Sequence, residues 1–204
     1  MKKILACISD GSVGKICMDI LVKKNIYHKI IIINTSRKIK NINIVNQLKK
    51  IDQKYLIDVI IGFANISELK VNADMFNILK NLNISLINVF HESAIIDENV
   101  NFGKGVKLFP GTIVNRGCKI RNNVLINTGS IIDHECDIGE HSQIAPGCIL
   151  SGNVKIGNLS FIGSGSTIMQ GIKIGNNSLV GAGSVVLNNV PSNSVYAGVP
   201  AKKL

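Results

Sequence analysis

The chain has 204 residues, of which 46% are hydrophobic, 18% charged and 4% aromatic. That length can bury a core in one large or two small domains. No apolar run reaches the roughly 18 residues of a membrane-spanning helix, and five cysteines without CxxC spacing exclude a disulfide framework or a thiolate zinc site. The formal net charge of +10 is uneven, with 14 Lys+Arg against 7 Asp+Glu over residues 1–95 and 9 against 6 over residues 96–204. Scattered lysines and few aromatics point this excess toward an anionic small molecule or plain solvation, and away from nucleic acid.

The opening "MKKILACISD" is interrupted by Ser9, Asp10 and Gly11 too early for a secretory leader, so it reads as a first strand of a cytoplasmic protein. Two further apolar runs follow, "KIIIIN" (29–34) and "LIDVIIGF" (56–63), and a helical stretch from about Lys15 to Lys24 separates the first two. The pattern is βαβαβ, an α/β Rossmann-like domain over residues 1–90. Between its first strand and helix lies "SDGSVGK" (9–15), which is either a plain turn or a loop whose backbone N–H groups approach an anion at the helix N-terminus. Ser12, Val13 and Gly14 are its candidate ligand-binding residues. After the second strand "NTSRK" places Asn34, Thr35 and Ser36 as hydrogen-bonding groups and Arg37 and Lys38 as partners for phosphate.

From residue 91 a repeat governs the sequence. Every sixth residue from Ile96 through Ile132, Ile138 and Ile144 to Val186 is a large apolar side chain, sixteen in succession. Two residues before most of these stands a small one, among them Thr112, Cys118, Ser130, Cys136, Ser142, Cys148 and Ser160. Strand alternation sends both sets to one side, so they share an interior. Gly139, Gly157, Gly163, Gly175 and Gly181 follow the aliphatic position, where a tight corner favours a residue without a side chain. This is the hexapeptide signature of a parallel β-helix, with three hexapeptides to a triangular coil of 18 residues. The β-helix is assigned to residues 91–190 and a tail to 191–204. Cys118, Cys136 and Cys148 then take inward small positions and read as packing.

The 18-residue period sorts the outward residues onto three faces. One carries Ile113, Ile131, Ile149, Thr167 and Val185, a second Lys107, Leu125, Gln143, Phe161 and Leu179, and the third Lys119, Asp137, Lys155 and Lys173. An outward row of isoleucines marks an interface, here between copies of the chain. His134, in "IIDHECDIGEHSQIAPG" (131–147), falls at the corner between the apolar and the charged face, next to Glu135. A histidine-bound metal would need imidazoles at matched corners of neighbouring coils; His91, His134 and His141 do not supply them, and no metal site is assigned.

The stretch "NTGSIIDHECDIGEHSQIAPGCILSGNVKIG" (127–157) and the C-terminal "VYAGVPAKKL" closely resemble the NeuD/PglD-type sugar acyltransferases. The resemblance implies a left-handed β-helix behind the Rossmann-like domain, a homotrimer with sites at subunit boundaries, and acetyl transfer from acetyl-CoA. The implied acceptor is the 4-amino group of a nucleotide-linked 4-amino-4,6-dideoxy sugar, for surface glycan biosynthesis, or else a hydroxyl of a sialic acid type of sugar. It also implies His134 as general base, Glu135 as the acid that orients it, and Asn127 as a polar residue lining the site. A second family histidine that touches the donor is matched by Gln143, while Ser164 and Ala182 match positions along the pantetheine arm. "GVPAK" (198–202) matches a tail over the cofactor, with Lys202 toward CoA phosphate. The family's fuller glycine pattern is reduced here to Gly11 and Gly14, and its acidic residues after the second strand are replaced by "NTSRK". A non-catalytic β-helical assembly protein is the reading in which the Asp-His-Glu cluster is incidental.

Overall fold

The computed structural model describes residues 2–9, 11–33, 41–51, 55–63 and 66–204. The chain divides into two compact units, Met1–Val89 and Phe90–Leu204. Among the described residues no helix is long and apolar enough to cross a membrane.

The first unit is a four-stranded parallel sheet in the order β2-β1-β3-β4, built from β1 (Lys3–Ile8), β2 (Lys29–Ile33), β3 (Leu56–Ile61) and β4 (Ser85–Leu86). Its helices are α1 (Ser12–Val22), α2 (Asn41–Lys49) and α3 (Leu69–Asn81). β1 is central and buried from Ile4 to Ile8, as a strand covered on both faces must be. The core joins Ala6 and Ile8 to Ile33, Val59, Ile61 and the α3 side chains Met75, Phe76 and Leu79. α3 and β4 extend the βαβαβ pattern by one more unit. α1 starts three residues before the sequence expectation, because Gly11, in an extended conformation, stands as its N-cap and draws Ser12, Val13 and Gly14 into the first turn. The strand order reverses direction across β1, from β2 on one side to β3 on the other. A doubly wound sheet leaves its ligand crevice at the carboxyl ends of the strands at that switch point, where β1 ends and α1 begins.

The second unit is the three-sided coil that the period of 18 requires. Each outward residue pairs in parallel with the one 18 positions on: Ile113 with Ile131 and Ile131 with Ile149 on one face, Leu125 with Gln143 and Gln143 with Phe161 on the second, Lys119 with Asp137 and Asp137 with Lys155 on the third. The inward aliphatics from Leu108 to Val186 are buried in one column. Beside them the small residues from Ser130 to Ser166, with Cys118, do more than fill space, since the hydroxyl or thiol donates to the carbonyl fifteen residues on, whereas the buried Thr112 hydroxyl has no hydrogen-bond partner. Ser130 donates to Ala145 at 2.9 Å, Ser142 to Gly157 at 2.6 Å, and Cys118, Cys136 and Cys148 to Asp133, Ser151 and Gly163 at 3.0, 3.2 and 3.1 Å. The cysteines are thus interchangeable with serine in this position, and burial pushes the Cys148 thiol above its ordinary range, away from reactivity.

Glycine plays two separate parts, of which the sequence reading found one and explained it wrongly. Gly139, Gly157 and Gly163, after the inward aliphatic, lie outside the left-handed region; a Cβ on Gly139 would come within 2.6 Å of Asn158 N, so the next coil's close approach excludes a side chain. The left-handed corner residue lies three places before the aliphatic, for instance at Gly129 and Gly147 (φ 68°).

Candidate active site

His134 and Glu135 form the corner between the apolar face, whose strand ends at Ile132, and the charged face, whose strand begins at Asp137. Both side chains are open to solvent, and His134 Nδ1 stands 3.5 Å from Glu135 Oε2. A carboxylate on the Nδ1 side favours the proton on that nitrogen of the neutral ring and so Nε2 as the acceptor.

The corner is held by residues to which the sequence reading gave no role. Asp133 Oδ1 accepts the His134 backbone N–H at 2.8 Å and the Asn115 side-chain amide at 2.9 Å. These bonds, the one from Asn115 foremost, hold the Asp133 carboxyl below the usual carboxylate range, so it stays ionised and the turn stays fixed. Asn115 is 18 residues before Asp133, so the period itself carried the signal.

Glu135 takes the left-handed corner position at φ 58°. From Gly105 to Gly183 that row holds glycine or asparagine at every sixth residue except at Glu135, His141 and Leu159. A long side chain there costs about 1–3 kcal/mol, and such outliers gather at functional sites. Glu135→Gly should therefore raise stability by about 1 kcal/mol in chemical denaturation while lowering catalysis. An unchanged midpoint would mean that the corner stores no strain.

His141, the second outlier, is buried at the corner between the charged face and the Gln143 face. Lys107 Nζ donates to Asn123 Oδ1 at 3.3 Å, so the Asn123 amide donates to His141 Nδ1 at 3.0 Å, and the opposite nitrogen lies 3.9 Å from Glu140 Oε2. That closed polar chain gives His141 a structural place in the coil.

The residues matched to donor binding stand elsewhere. Gln143 stands in the second face and is buried, so within one chain it is not open to a donor. Ser164 and Ala182 are exposed, one coil apart, at the corner leading from that face to the apolar one, which also holds Asn127. Asn127 Oδ1 accepts from Thr128 N at 2.8 Å and serves its own turn. Lys202 lies in the C-terminal strand Ala201–Lys203, paired antiparallel to Val195–Gly198, which extends the Gln143 sheet. Within one chain, then, the His134 corner and the Asn127, Ser164 and Ala182 corner flank opposite edges of the apolar face.

In the first unit, Ser12 is exposed at the start of α1 while Val13 is buried. Gly14 has a part in packing. A Cβ there would meet Ser9 O at 2.5 Å and Cys7 Sγ at 3.0 Å, and Gly62 backs against it, so Gly14 lets α1 pack closely on the sheet. Gly14→Val should accordingly lower the melting temperature of the protein, at a cost of at least about 1–3 kcal/mol of overpacking. An unaltered melting curve would return the residue to the ligand side. Ser9 itself is strained at φ 94°, with its hydroxyl accepting Gly11 N–H at 3.1 Å. Asn34 and Thr35, with Ser36, Arg37 and Lys38, lie outside the described residues. Among the described residues no group of three or more His, Cys, Asp or Glu side chains could hold a metal ion.

Comparison with known proteins follows the repeat. Residues 117–152 and 153–188 match the bacterial transferase hexapeptide model, and residues 93–128 the hexapeptide repeat of succinyl-transferase. No curated protein matches the sequence. Among solved structures the chain is similar to the acetyltransferase domain of PglB from Neisseria gonorrhoeae, at 25% identity over 100% of both chains with a TM-score of 0.88. The same domain in complex with acetyl coenzyme A matches at 23% identity, again over 100% of both chains and with a TM-score of 0.88. PerB from Caulobacter crescentus, in complex with CoA and GDP-perosamine, is 24% identical over 98% of this chain and 96% of its own, with a TM-score of 0.87. The fold is the α/β domain and left-handed β-helix of these acetyltransferases.

Proposed function

We propose that this chain, which belongs with the hexapeptide-repeat acyltransferases, transfers an acetyl group from acetyl-CoA to the 4-amino group of a nucleotide-linked 4-amino-4,6-dideoxy sugar, with His134 as general base. The observation that carries the reading is the His134–Glu135 corner. A half-exposed imidazole, with its Nδ1 side turned to a carboxylate, borders the apolar face in a chain whose whole length follows the fold of acetyltransferases.

The chemistry needs little else. Nε2 of the neutral imidazole takes a proton from the sugar amine as its nitrogen attacks the thioester carbonyl, and Glu135 stabilises the imidazolium that results. The tetrahedral oxyanion then collapses, the C–S bond breaks, and the imidazolium returns the proton to the departing thiolate. No acyl-enzyme intervenes.

The donor and base corners lie at opposite edges of the apolar face, which supports a homotrimer. When three copies close around a threefold axis, each contributes a different patch to its two neighbours, and one copy's His134 edge comes beside the next copy's Ser164 and Ala182 edge. The Ile95, Ile113, Ile131 and Ile149 row, with Ile95 64% and Ile149 43% exposed, is what such a contact would cover. The acceptor's nucleotide is assigned to the β1–α1 turn at Ser9 and Ser12, together with Asn34 and Thr35. The N-terminal excess of positive charge suits a diphosphate in the cytoplasm.

Following free thiol release with acetyl-CoA and a panel of nucleotide-linked amino sugars tests the reading, and turnover with at least one amine acceptor is expected. Turnover confined to sugar hydroxyls would replace it with O-acetylation of a sialic acid type of sugar. One observation favours that alternative: Gly14 is occupied in packing, which removes one of the two glycines that a pyrophosphate-binding turn would use. A purified protein whose melting temperature ignores acetyl-CoA would leave the assembly reading.

A further inference from the structure

The structure assigns Gly152 as the positioning residue of the His134 imidazole, an inference that rests on His134 being the base. Gly152 lies 18 residues after His134, at the same corner one coil on, and the two coils are tied there by Asn153 N–H donating to His134 O at 2.9 Å. The corner row reads Glu98, Arg116, His134, Gly152, Gln170. Every other member carries a long side chain, so the corner itself does not demand glycine. Nor does the backbone, because Gly152 lies outside the left-handed region that its neighbour Asn153 adopts at φ 59°. What a side chain at 152 would meet is the imidazole: a Cβ would overlap Nε2 and stand 2.5 Å from Cε1 and 3.0 Å from Cδ2.

The ring therefore lies over the bare backbone of Gly152, which is buried while Glu98, Arg116 and Gln170 are exposed. Two consequences follow. The peptide at 152 is a floor that fixes the ring's tilt, with Glu135 on the Nδ1 side. The absent side chain also keeps clear the space at Nε2, the nitrogen that must meet the acceptor amine. Even a methyl group at 152 forces the ring to rotate away, because its nearest contacts would all be atoms of that ring.

Gly152→Ala should lower kcat by about 10²-fold, the effect of an ångström-scale misplacement of a catalytic group, with little change in the KM for acetyl-CoA. In a His134→Ala background the same substitution should alter kcat by less than about twofold, since the ring it displaces is gone. An equal fractional loss in both backgrounds would make Gly152 a merely structural residue and overturn the assignment, as would full activity of the single variant. Should the alanine lower the melting temperature, deleting the ring restores it; a loss of stability that persists in the double variant also overturns the proposal. A His134→Ala enzyme with normal kcat removes the base itself, and that result is read from the one variant that leaves Gly152 untouched.

Discussion

Replacing Ile131 with lysine is expected to dissociate the proposed trimer to a monomer in light scattering and to abolish acetyl transfer with it. Ile131 is the middle of a row, paired in register with Ile113 below and Ile149 above. Burying an isoleucine side chain is worth about 1.5–3 kcal/mol, and in the proposed trimer three symmetry-related copies of the row would make its covering a large share of the association energy. A lysine at the centre reverses the sign, because each ammonium must be stripped of water with no partner among the flanking isoleucines. The side chain points outward from the coil, so the monomer keeps its interior column and should keep its far-UV circular dichroism. In the proposed trimer the two halves of the site belong to different copies, so activity is expected to fall with dissociation. A trimer of unchanged mass would remove the face assignment, and an active monomer would remove the shared site.

The β-helix was legible because its period is covalent in origin. With one aliphatic every six residues, the inward column, the three faces and the places of Cys118, Cys136 and Cys148 follow by counting, and the sheet register repeats that count at Ile131, Gln143 and Asp137. What counting did not supply was the reason for each glycine. Gly139 and Gly129 look alike in sequence, yet one is excluded from side chains by the neighbouring coil and the other by its own backbone angle. The left-handed row was present in the sequence, and Glu135 and His141 break it, but only backbone angles turn that break into strain. Gly14 is ambiguous for the same reason, since a glycine in the first turn of a helix serves phosphate approach and close packing equally well. The corner around His134 was half legible. The histidine and its neighbouring carboxylate stand in sequence, while Asn115 and Gly152, one coil below and above, join them only when the coil is wound.

His134→Ala should lower kcat by about 10² to 10⁴, the usual worth of a general base and equivalent to about 2.7–5.4 kcal/mol of transition-state stabilisation. The loss should appear in kcat and kcat/KM together, leaving the KM for acetyl-CoA near its original value. That pattern marks an interaction made in the transition state and not in the ground state, and of the residues proposed for the donor Ser164 and Ala182 lie at another corner and Lys202 in the C-terminal strand. Stability should hardly move: the side chain is 42% exposed and contributes no atom to the buried column. Glu135→Gln preserves the length of the side chain while removing its charge, so it should have a smaller effect than loss of the ring, about tenfold. A bland corner histidine would behave otherwise, giving a variant with unaltered turnover at every acceptor concentration. Thiol release measured with saturating acetyl-CoA separates the two, and an alanine variant within twofold of the parent kcat would leave the proton of the amine to some other group.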